Sequence, residues 1–332
     1  MEILQFFFGL ISFFSTFYIL RIWIKKALMN GIVGPDMNKP GKPLVAEMGG
    51  ICVVFGFVFG LLLFIGAQTF IFKINDPITL EIFAVLCTVL LIAIIGMTDD
   101  LLGWKAGLPQ WLKPLLAIPA AIPLMVINAG NTWMELPFIG EINWGIIYPL
   151  IIIPFAIMCA SNGFNILAGY NGLEAGMGVI ILTTLGALAY YTNKIEVAAL
   201  AFCMVGALLA FLWFNWYPAK VFPGDSLTYP VGALIACIAI LGDLEKIALI
   251  LFIPYIIDFL LVLRSHCKGE AFAKVYDDGS LEQPFERITH MTHFALASLK
   301  RVKAKVFEKD VVYFLYGIEL IFVIISILIV FR

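Results

Sequence analysis

The sequence has little charge for its length. Asp, Glu, Lys and Arg make up 13% of its 332 residues, about half of the roughly 25% that is usual in soluble domains. Hydrophobic residues make up 62%, and a soluble domain of this size would expose too much of that apolar surface to water. Because the net charge is −2, the composition also does not favour a nucleic-acid-binding protein.

Cysteine pairs, internal repeats and low-complexity segments are lacking as well. The six cysteines include no Cys-x-x-Cys pair, five of them lie within apolar runs, and Cys267 stands alone in a polar segment. We therefore interpret them as reduced packing residues, not as disulfide partners or zinc ligands.

Long apolar runs follow one another along almost the whole chain. A membrane-spanning helix needs about 20 mostly apolar residues, and the pattern predicts an all-α, polytopic integral membrane protein with about ten transmembrane helices in a single domain, residues 1–332. Basic residues follow the first run and do not precede it, so we expect an anchor and not a cleaved signal peptide. The predicted spans are residues 3–24, 47–72, 79–98, 111–128, 144–160, 175–192, 196–213, 227–242, 246–264 and 311–331.

Lys and Arg predict the orientation of these helices. If the sides alternate, one set of connections carries fifteen basic residues and the other carries four, and the richer set is expected in the cytoplasm. We therefore predict a multi-pass protein of the cell membrane or an endomembrane, with both termini outside and the active-site loops in the cytoplasm. The cytoplasmic connections are residues 25–46, 99–113, 161–174, 214–226 and the long segment 265–310.

The second cytoplasmic connection begins with two adjacent carboxylates, Asp99 and Asp100. Neighbours on a helix point about 100° apart, so different roles are more plausible than shared ligation of one ion, and a solvated pair of acids is the alternative. Lys113 follows at the membrane boundary beside Trp111. Its ammonium group would suit a lipid phosphate or a diphosphate, or it would be an interfacial anchor.

The third connection and the two residues after it, 161–176, are rich in Asn and Gly and have almost no charge. Asn162 and Asn165 would share one face of a helix, and amide oxygens suit Mg²⁺ together with a carboxylate and substrate phosphates. A structural Asn/Gly helix break is the alternative. Asp225 would be either that carboxylate or a helix N-cap, and Phe222 would either stack on a base or pack in the core.

The last cytoplasmic segment contains His290 and His293, which without a third ligand make a poor zinc site. An apolar stripe over residues 294–306, with basic residues beside it, is typical of a helix that lies on anionic lipid. Two acids fall within predicted spans and away from their first turns, where such residues are functional candidates. We expect Asp258 to line a cavity and Glu319 to be structural.

Together these loops resemble the polyprenyl-phosphate N-acetylhexosamine-1-phosphate transferases. The similarity runs from about Asp36 to His293, and its most specific part is Asn-x-x-Asn-Ile-Leu-Ala-Gly-x-Asn-Gly-Leu-Glu-Ala-Gly at residues 162–176. This stretch is similar to the archaeal and eukaryotic dolichyl-phosphate GlcNAc-1-phosphate transferases. The bacterial muramoyl-pentapeptide branch would have acidic residues near Gly169 and at Asn171, which are absent here.

The resemblance implies a Mg²⁺-dependent enzyme, with Mn²⁺ as the alternative ion. It would transfer GlcNAc-1-phosphate from UDP-GlcNAc to a dolichyl-type polyprenyl phosphate and release UMP, as the first membrane step of glycan assembly. Ten transmembrane helices, a cytoplasmic active site and a homodimer are also implied.

The same resemblance assigns roles to individual residues. The metal would be held by Asn165 and Asp225. Phosphate groups would be held by Lys113, and the acceptor would be activated or positioned by Asp99 and Asp100. The uracil would be surrounded by the Met37 backbone, Asn171 and Phe222, and Asn162 would support the site. The sugar would be faced by Glu47, Arg287, His290 and His293. The family's Arg-rich or His-rich motif is reduced here to the last three of these, which leaves the sugar specificity open.

Two alternatives remain at this level. One is the same reaction with another UDP-N-acetylhexosamine, for a cell-envelope polymer. The other is a membrane transporter, which would have polar residues near the midplane of several spans and often an internal repeat. Here the polar residues cluster in loops on one side instead.

Overall fold

A computed structural model describes residues 4–73, 78–103, 107–136, 140–266 and 269–331 of the chain. Helices dominate this described part. They are α1 Leu4–Met29, α2 Gly50–Gly66, α3 Ile78–Leu102, α4 Leu112–Ala120, α5 Ile122–Val126, α6 Ile153–Ile166, α7 Leu173–Tyr191, α8 Ile195–Asn215, α9 Asp225–Gly242, α10 Glu245–Leu251, α11 Ile253–Arg264, α12 Met291–Leu299 and α13 Glu308–Val330. Short π-helical turns, Ala67–Ile71 and Tyr148–Ile152, extend α2 and precede α6.

Three two-stranded antiparallel hairpins connect some of the helices. Their strands are β1 Val33–Pro35 with β2 Leu44–Ala46, β3 Trp133–Leu136 with β4 Gly140–Asn143, and β5 Lys274–Val275 with β6 Leu281–Glu282. The five cysteines that lie within apolar runs are free, and three of them are buried as packing residues, whereas Cys87 and Cys159 are exposed on the protein surface. Cys267 falls outside the described residues.

Eight helices in the described part are long and apolar enough to cross a membrane. The pair α10 and α11 makes a ninth if it is counted as one span, although it is bent by 56°. The predicted fourth span is the shorter apolar segment Leu112–Val126, which is divided into α4 and α5 because Pro119 and Pro123 interrupt the helical hydrogen bonds. The protein is an all-α, multi-pass membrane protein, and ten is an approximate count of its spans.

Helix α9 lies at the centre of the bundle. Its apolar stretch is 94% buried within the protein, against 28% for α1 and 22% for α13 at the periphery. Close packing at its first turn depends on Gly96 of α3, because a Cβ atom there would collide with the backbone of Asp225. Small residues let membrane helices approach in this way, and the contact brings the end of α3 against the start of α9.

The connection after α1 is joined to the connection before α9. Ala46 of β2 forms a parallel bridge with Val221, and its carbonyl accepts a hydrogen bond from the Phe222 backbone N–H at 2.7 Å. From α1, the Trp23 indole N–H donates to the carbonyl of Glu47 at 2.8 Å. These contacts fix Glu47 and Phe222 at the same end of the bundle.

The segment before α13 differs from the predicted lipid-binding stripe. Helix α12 ends at Leu299, within the predicted stripe. Two members of the stripe, Leu296 and Val306, are fully buried in the protein. The neighbouring lysines are paired with acids on the protein, so they do not form a free basic face. The pairs are Lys300 with Glu282, Lys303 with Asp310 and Lys305 with Asp278.

The two acids within spans have different surroundings. Asp258 is fully buried in α11, where its carboxylate accepts the Met291 backbone N–H at 2.5 Å and so holds the first turn of α12. Glu319 is also fully buried, and both of its carboxylate oxygens are without a hydrogen-bond partner among the described residues.

Candidate active site

A pocket of about 240 Å³ lies where four of the polar connections meet. Its wall contains six of the residues singled out from the sequence. They are Met37, Glu47, Asn165, Asn171, Phe222 and Asp225. The other lining residues are Pro35, Asp36, Ala168, Gly169, Tyr170, Glu174, Asn215, Pro223, Gly224, Thr228 and Phe272.

Lys113 joins the pocket to the end of α3. Its ammonium nitrogen lies 2.8 Å from Asp225 Oδ2 and 2.7 Å from Asp99 Oδ2. The other oxygen of Asp99 accepts the Leu108 backbone N–H at 2.6 Å. Two carboxylates from α3 and α9 therefore face one cationic group from α4, at the edge of the pocket.

Asp100 has a different set of contacts from its neighbour. Its two oxygens accept the backbone N–H groups of Asp225 and Ser226, at 2.7 and 3.0 Å. The first amides of a helix need acceptors from outside the helix, and Gly224, the N-cap residue of α9, has no side chain to supply one. Asp100 thus supplies the cap from another helix, and this fixes the position of Asp225.

Glu47 lies close to this group of acids, in the connection before α2. Burial of its carboxyl group, reinforced by the charge of Asp100, raises the pKa of Glu47 above its ordinary value. A larger fraction of Glu47 is consequently protonated near neutral pH than for a carboxyl group in water.

Asn165 and Asn162 both accept hydrogen bonds from side chains of α9. Thr228 Oγ1 donates to Asn165 Oδ1 at 2.7 Å, one turn after Asp225 on α9. Asn162 Oδ1 accepts from the Tyr229 hydroxyl at 3.2 Å, and its amide nitrogen donates to the Met158 carbonyl. Asn162 is therefore behind the pocket wall, whereas Asn165 is part of it.

The oxygen donors at the pocket fit a divalent ion that is held partly by substrate. No group of three His, Cys, Asp or Glu side chains in the described part could form a complete protein cage. One carboxylate and one amide oxygen, from Asp225 and Asn165, match the way Mg²⁺ is commonly held, with substrate phosphates and water as its other ligands. Mn²⁺ favours the same class of oxygen donors.

The loop between α6 and α7 closes the other end of the pocket. Gly172 has a φ of 88°, a conformation that favours glycine, and its N–H donates to Asn215 Oδ1 at 2.9 Å. The Asn171 side chain donates to Asp36 Oδ2 at 3.1 Å. These contacts hold Asn171 in the wall that also contains Met37 and Phe222.

The histidines lie behind the pocket wall. His293 Nε2 is 3.4 Å from the carbonyl oxygen of Phe272, a lining residue, and His290 Nε2 is 3.4 Å from the carbonyl oxygen of Gly269. Burial, together with His290, lowers the pKa of His293 to about 4, so this imidazole is neutral at pH 7. Arg287 is exposed and does not line the pocket, so its role and those of the two histidines stay predictions.

Several contributors to the site were missed by reasoning from the sequence. Asn38 donates to the Gly169 carbonyl at 2.9 Å and accepts the Ala273 N–H at 3.0 Å, so it joins three connections. Glu174 accepts the Gly169 N–H at 2.8 Å. It belongs to the specific stretch at 162–176, which was a usable signal, whereas nothing near Glu308 in the sequence indicates its contact with Asn171.

Comparison with known proteins shows the family to which the chain belongs. The family model described as "Glycosyl transferase family 4" matches residues 82–243. A protein of Saccharolobus solfataricus is 39% identical over 96% of this chain and 94% of its own length. The chain belongs to glycosyl transferase family 4. The range matched by the family 4 model includes Asp99, Lys113, Asn165 and Asp225.

Other relatives extend this similarity to eukaryotes. A protein of Sulfolobus acidocaldarius is 32% identical over 96% of this chain and 92% of its own length. One of Dictyostelium discoideum is 30% identical over 69% of this chain and 64% of its own. The Dictyostelium protein is named UDP-N-acetylglucosamine–dolichyl-phosphate N-acetylglucosaminephosphotransferase, and both archaeal proteins carry that name provisionally.

Proposed function

We propose that this family 4 protein transfers GlcNAc-1-phosphate from UDP-GlcNAc to a dolichyl-type polyprenyl phosphate. The products are GlcNAc-diphospho-polyprenol and UMP. The observation that carries the proposal is the meeting of Lys113, Asp225 and Asn165 beside one pocket, because a cation and hard oxygen donors together suit a diphosphate. The names of the relatives support the same reaction.

The lining residues suggest how the donor is oriented. The uracil would lie against the Phe222 ring, with Asn171 and the Met37 backbone as hydrogen-bonding partners. The diphosphate would lie toward Asp225 and Lys113, and the sugar toward Glu47. All but Lys113 line the pocket, and Lys113 contacts its edge through Asp225.

A divalent ion, Mg²⁺ or Mn²⁺, would be held by Asp225 and Asn165. When bound, it would offset the negative charge that develops on the leaving UMP. Thr228 would keep the amide oxygen of Asn165 aimed at the ion, since its hydroxyl group donates to that oxygen.

The reaction itself requires mainly positioning and charge shielding. An oxygen of the lipid phosphate attacks the β-phosphorus of UDP-GlcNAc, and the bond from that phosphorus to the bridging oxygen breaks as UMP leaves. Lys113 would exchange its carboxylate partners for the phosphates. Asp99 would accept a proton if the lipid phosphate arrives protonated, while Asp100 holds the first turn of α9.

We further propose that the pocket faces the cytoplasm, with both termini outside, because the basic residues are concentrated in the connections on the side of the pocket. A homodimer is expected from the resemblance alone. Light scattering of the purified protein would test it, and accessibility of single introduced cysteines to an impermeant thiol reagent would test the orientation.

The activity is tested with purified protein, labelled UDP-GlcNAc, polyprenyl phosphate and Mg²⁺. We expect lipid-linked label and release of UMP, and we expect Asp225→Ala to abolish both. Label that crosses vesicles without forming lipid product would instead support a transporter. Competition by other UDP-N-acetylhexosamines distinguishes the donor sugars, since the preferred donor suppresses labelling at the lowest concentration.

A further inference from the structure

A buried polar cluster lies behind the end of the pocket that contains Asn171. Its members are Asp36, Lys39, Asn171 and Glu308, which are between 1% and 8% exposed. Asp36 and Lys39 belong to the connection after α1, Asn171 to the loop before α7, and Glu308 to the first turn of α13. Asp36 and Asn171 line the pocket, whereas Lys39 and Glu308 do not.

Glu308 contacts both connections. One carboxylate oxygen accepts the Asn171 backbone N–H at 2.7 Å, and the other accepts a hydrogen bond from the Lys39 ammonium group. Lys39 Nζ also lies 3.3 Å from Asp36 Oδ2, the same oxygen that accepts from the Asn171 side chain at 3.1 Å. Asn171 is thus held at its backbone and at its side chain by one connected network.

The ring of Tyr217, in the connection before α9, contacts Lys39 of this network and also Lys309. Lys39 Nζ lies 4.3 Å from the ring centroid, and Lys309 Nζ, next to Glu308, lies 4.8 Å from it. Such cation–π contacts are favourable at these distances. The position of Lys39 is therefore determined from three sides.

Burying these charged groups costs desolvation free energy that apolar side chains in the same place would not. Removing charges from water is expensive, and buried ion pairs contribute more to a unique geometry than to net stability in some proteins. Here the geometry that is fixed belongs to two pocket-lining residues, Asp36 and Asn171. We infer that Glu308 is a positioning residue, which sets the affinity for the nucleotide part of the donor by holding Asn171 and the Lys39–Asp36 pair in place. This inference rests on the proposed function.

Steady-state kinetics of two variants test it. For Glu308→Ala we expect the KM for UDP-GlcNAc to rise about tenfold, the scale of one hydrogen bond to a charged group. The KM for polyprenyl phosphate and kcat should stay within about twofold, since the hydrogen bonds of Glu308 are with Asn171 and Lys39 and not with Asp99, Asp100 or Lys113. Glu308→Gln should recover part of the donor affinity, because its amide oxygen still accepts the Asn171 N–H.

Asp310→Asn is the matched control for a purely structural effect. Asp310 lies in the same helical turn, where it accepts the Phe307 N–H at 2.9 Å and pairs with Lys303, but it does not contact the pocket. This variant should lower the melting temperature and leave the donor KM unchanged.

Calorimetric binding of UMP provides a readout without turnover. We expect Glu308→Ala to weaken UMP binding by the same factor as the donor KM. Unchanged UMP affinity and donor KM in folded Glu308→Ala or Glu308→Gln, or equal increases in both KM values, would overturn the inference alone. A wild-type protein that neither binds UMP nor forms lipid-linked product would overturn the proposed function and the inference together.

Discussion

Replacement of Asp100 by Ala is expected to displace the first turn of α9. The carboxylate accepts two backbone N–H groups, those of Asp225 and Ser226, and Gly224 offers no substitute. Leaving two partly buried amides without a strong acceptor would cost about 2 kcal/mol, taking about 1 kcal/mol for each. A loss of that size would lower the melting temperature by a few degrees.

The same change should also lower kcat, because Asp225 is the first residue of that turn. A displacement of about 1 Å in a positioning group costs roughly 10²-fold in rate, so we expect a loss of about that factor. Asp100→Asn should be intermediate in both measurements, since its single amide oxygen replaces only one of the two acceptors.

Thermal unfolding and turnover are measured on the same preparations in this experiment. Thr98→Ala is the control, since Thr98 is an exposed residue of the same helix whose hydroxyl group donates to the Ile94 carbonyl at 2.8 Å. Little change is expected in either quantity. If Asp100→Ala lost its activity at an unaltered melting temperature, Asp100 would act directly on the acceptor, and the capping explanation would be refuted.

Three further predictions follow from the contacts of single side chains. Lys113→Met should reduce transfer by at least about 100-fold by removing the cation that would contact the phosphates during transfer. UMP binding, measured by calorimetry, should stay within a few fold, and a strong loss of UMP binding would contradict the placement of Lys113 at the edge of the pocket. Thr228→Val removes the hydroxyl group that donates to Asn165. It should raise the Mg²⁺ concentration needed for half-maximal activity by about tenfold, as for other groups that orient a metal ligand. An unchanged Mg²⁺ requirement would argue against Asn165 as a ligand. Burial lowers the pKa of His293 to about 4 in the folded protein, against an ordinary value of 6.5, so the unfolded chain binds a proton more readily. The neutral His293 therefore contributes its full stability above pH 6.5, and this contribution is lost as the pH falls toward 4. The melting temperature should therefore fall over that range, less steeply in His293→Gln, and identical pH profiles would refute this origin.

The membrane architecture could be predicted from composition because long apolar runs have few alternatives in a bilayer. The number of spans was less predictable. Proline interrupts the segment Leu112–Val126, and the pair α10 and α11 is bent at a short break, so an apolar run alone does not determine whether one straight helix forms.

Much of the candidate site could be found because its residues lie at the ends of neighbouring helices. Asn165 lies in the last turn of α6 and Asp225 begins α9. These two helices pack together, and both residues line the pocket. The different directions of Asp99 and Asp100 also follow from helical geometry. Which partner each would have could not be predicted, since Asp100 caps a helix that begins 125 residues later.

The contribution of the last helix was not predictable in the same way. Lys39 and Glu308 are 269 residues apart, and no local pattern relates them. The basic residues around α12 suggested a lipid-binding face, but the structure pairs three of them with acids of the protein. A charge pattern does not reveal whether its partner is lipid or protein until the fold is known.

The most direct test of the account is a crystal structure of the protein with UDP-GlcNAc and Mn²⁺, in which anomalous scattering locates the ion. We predict one anomalous peak in the pocket, about 2.1–2.3 Å from a carboxylate oxygen of Asp225 and the amide oxygen of Asn165, with the donor diphosphate as a further ligand. A peak away from both residues, in crystals of protein that is active with Mn²⁺, would contradict the account.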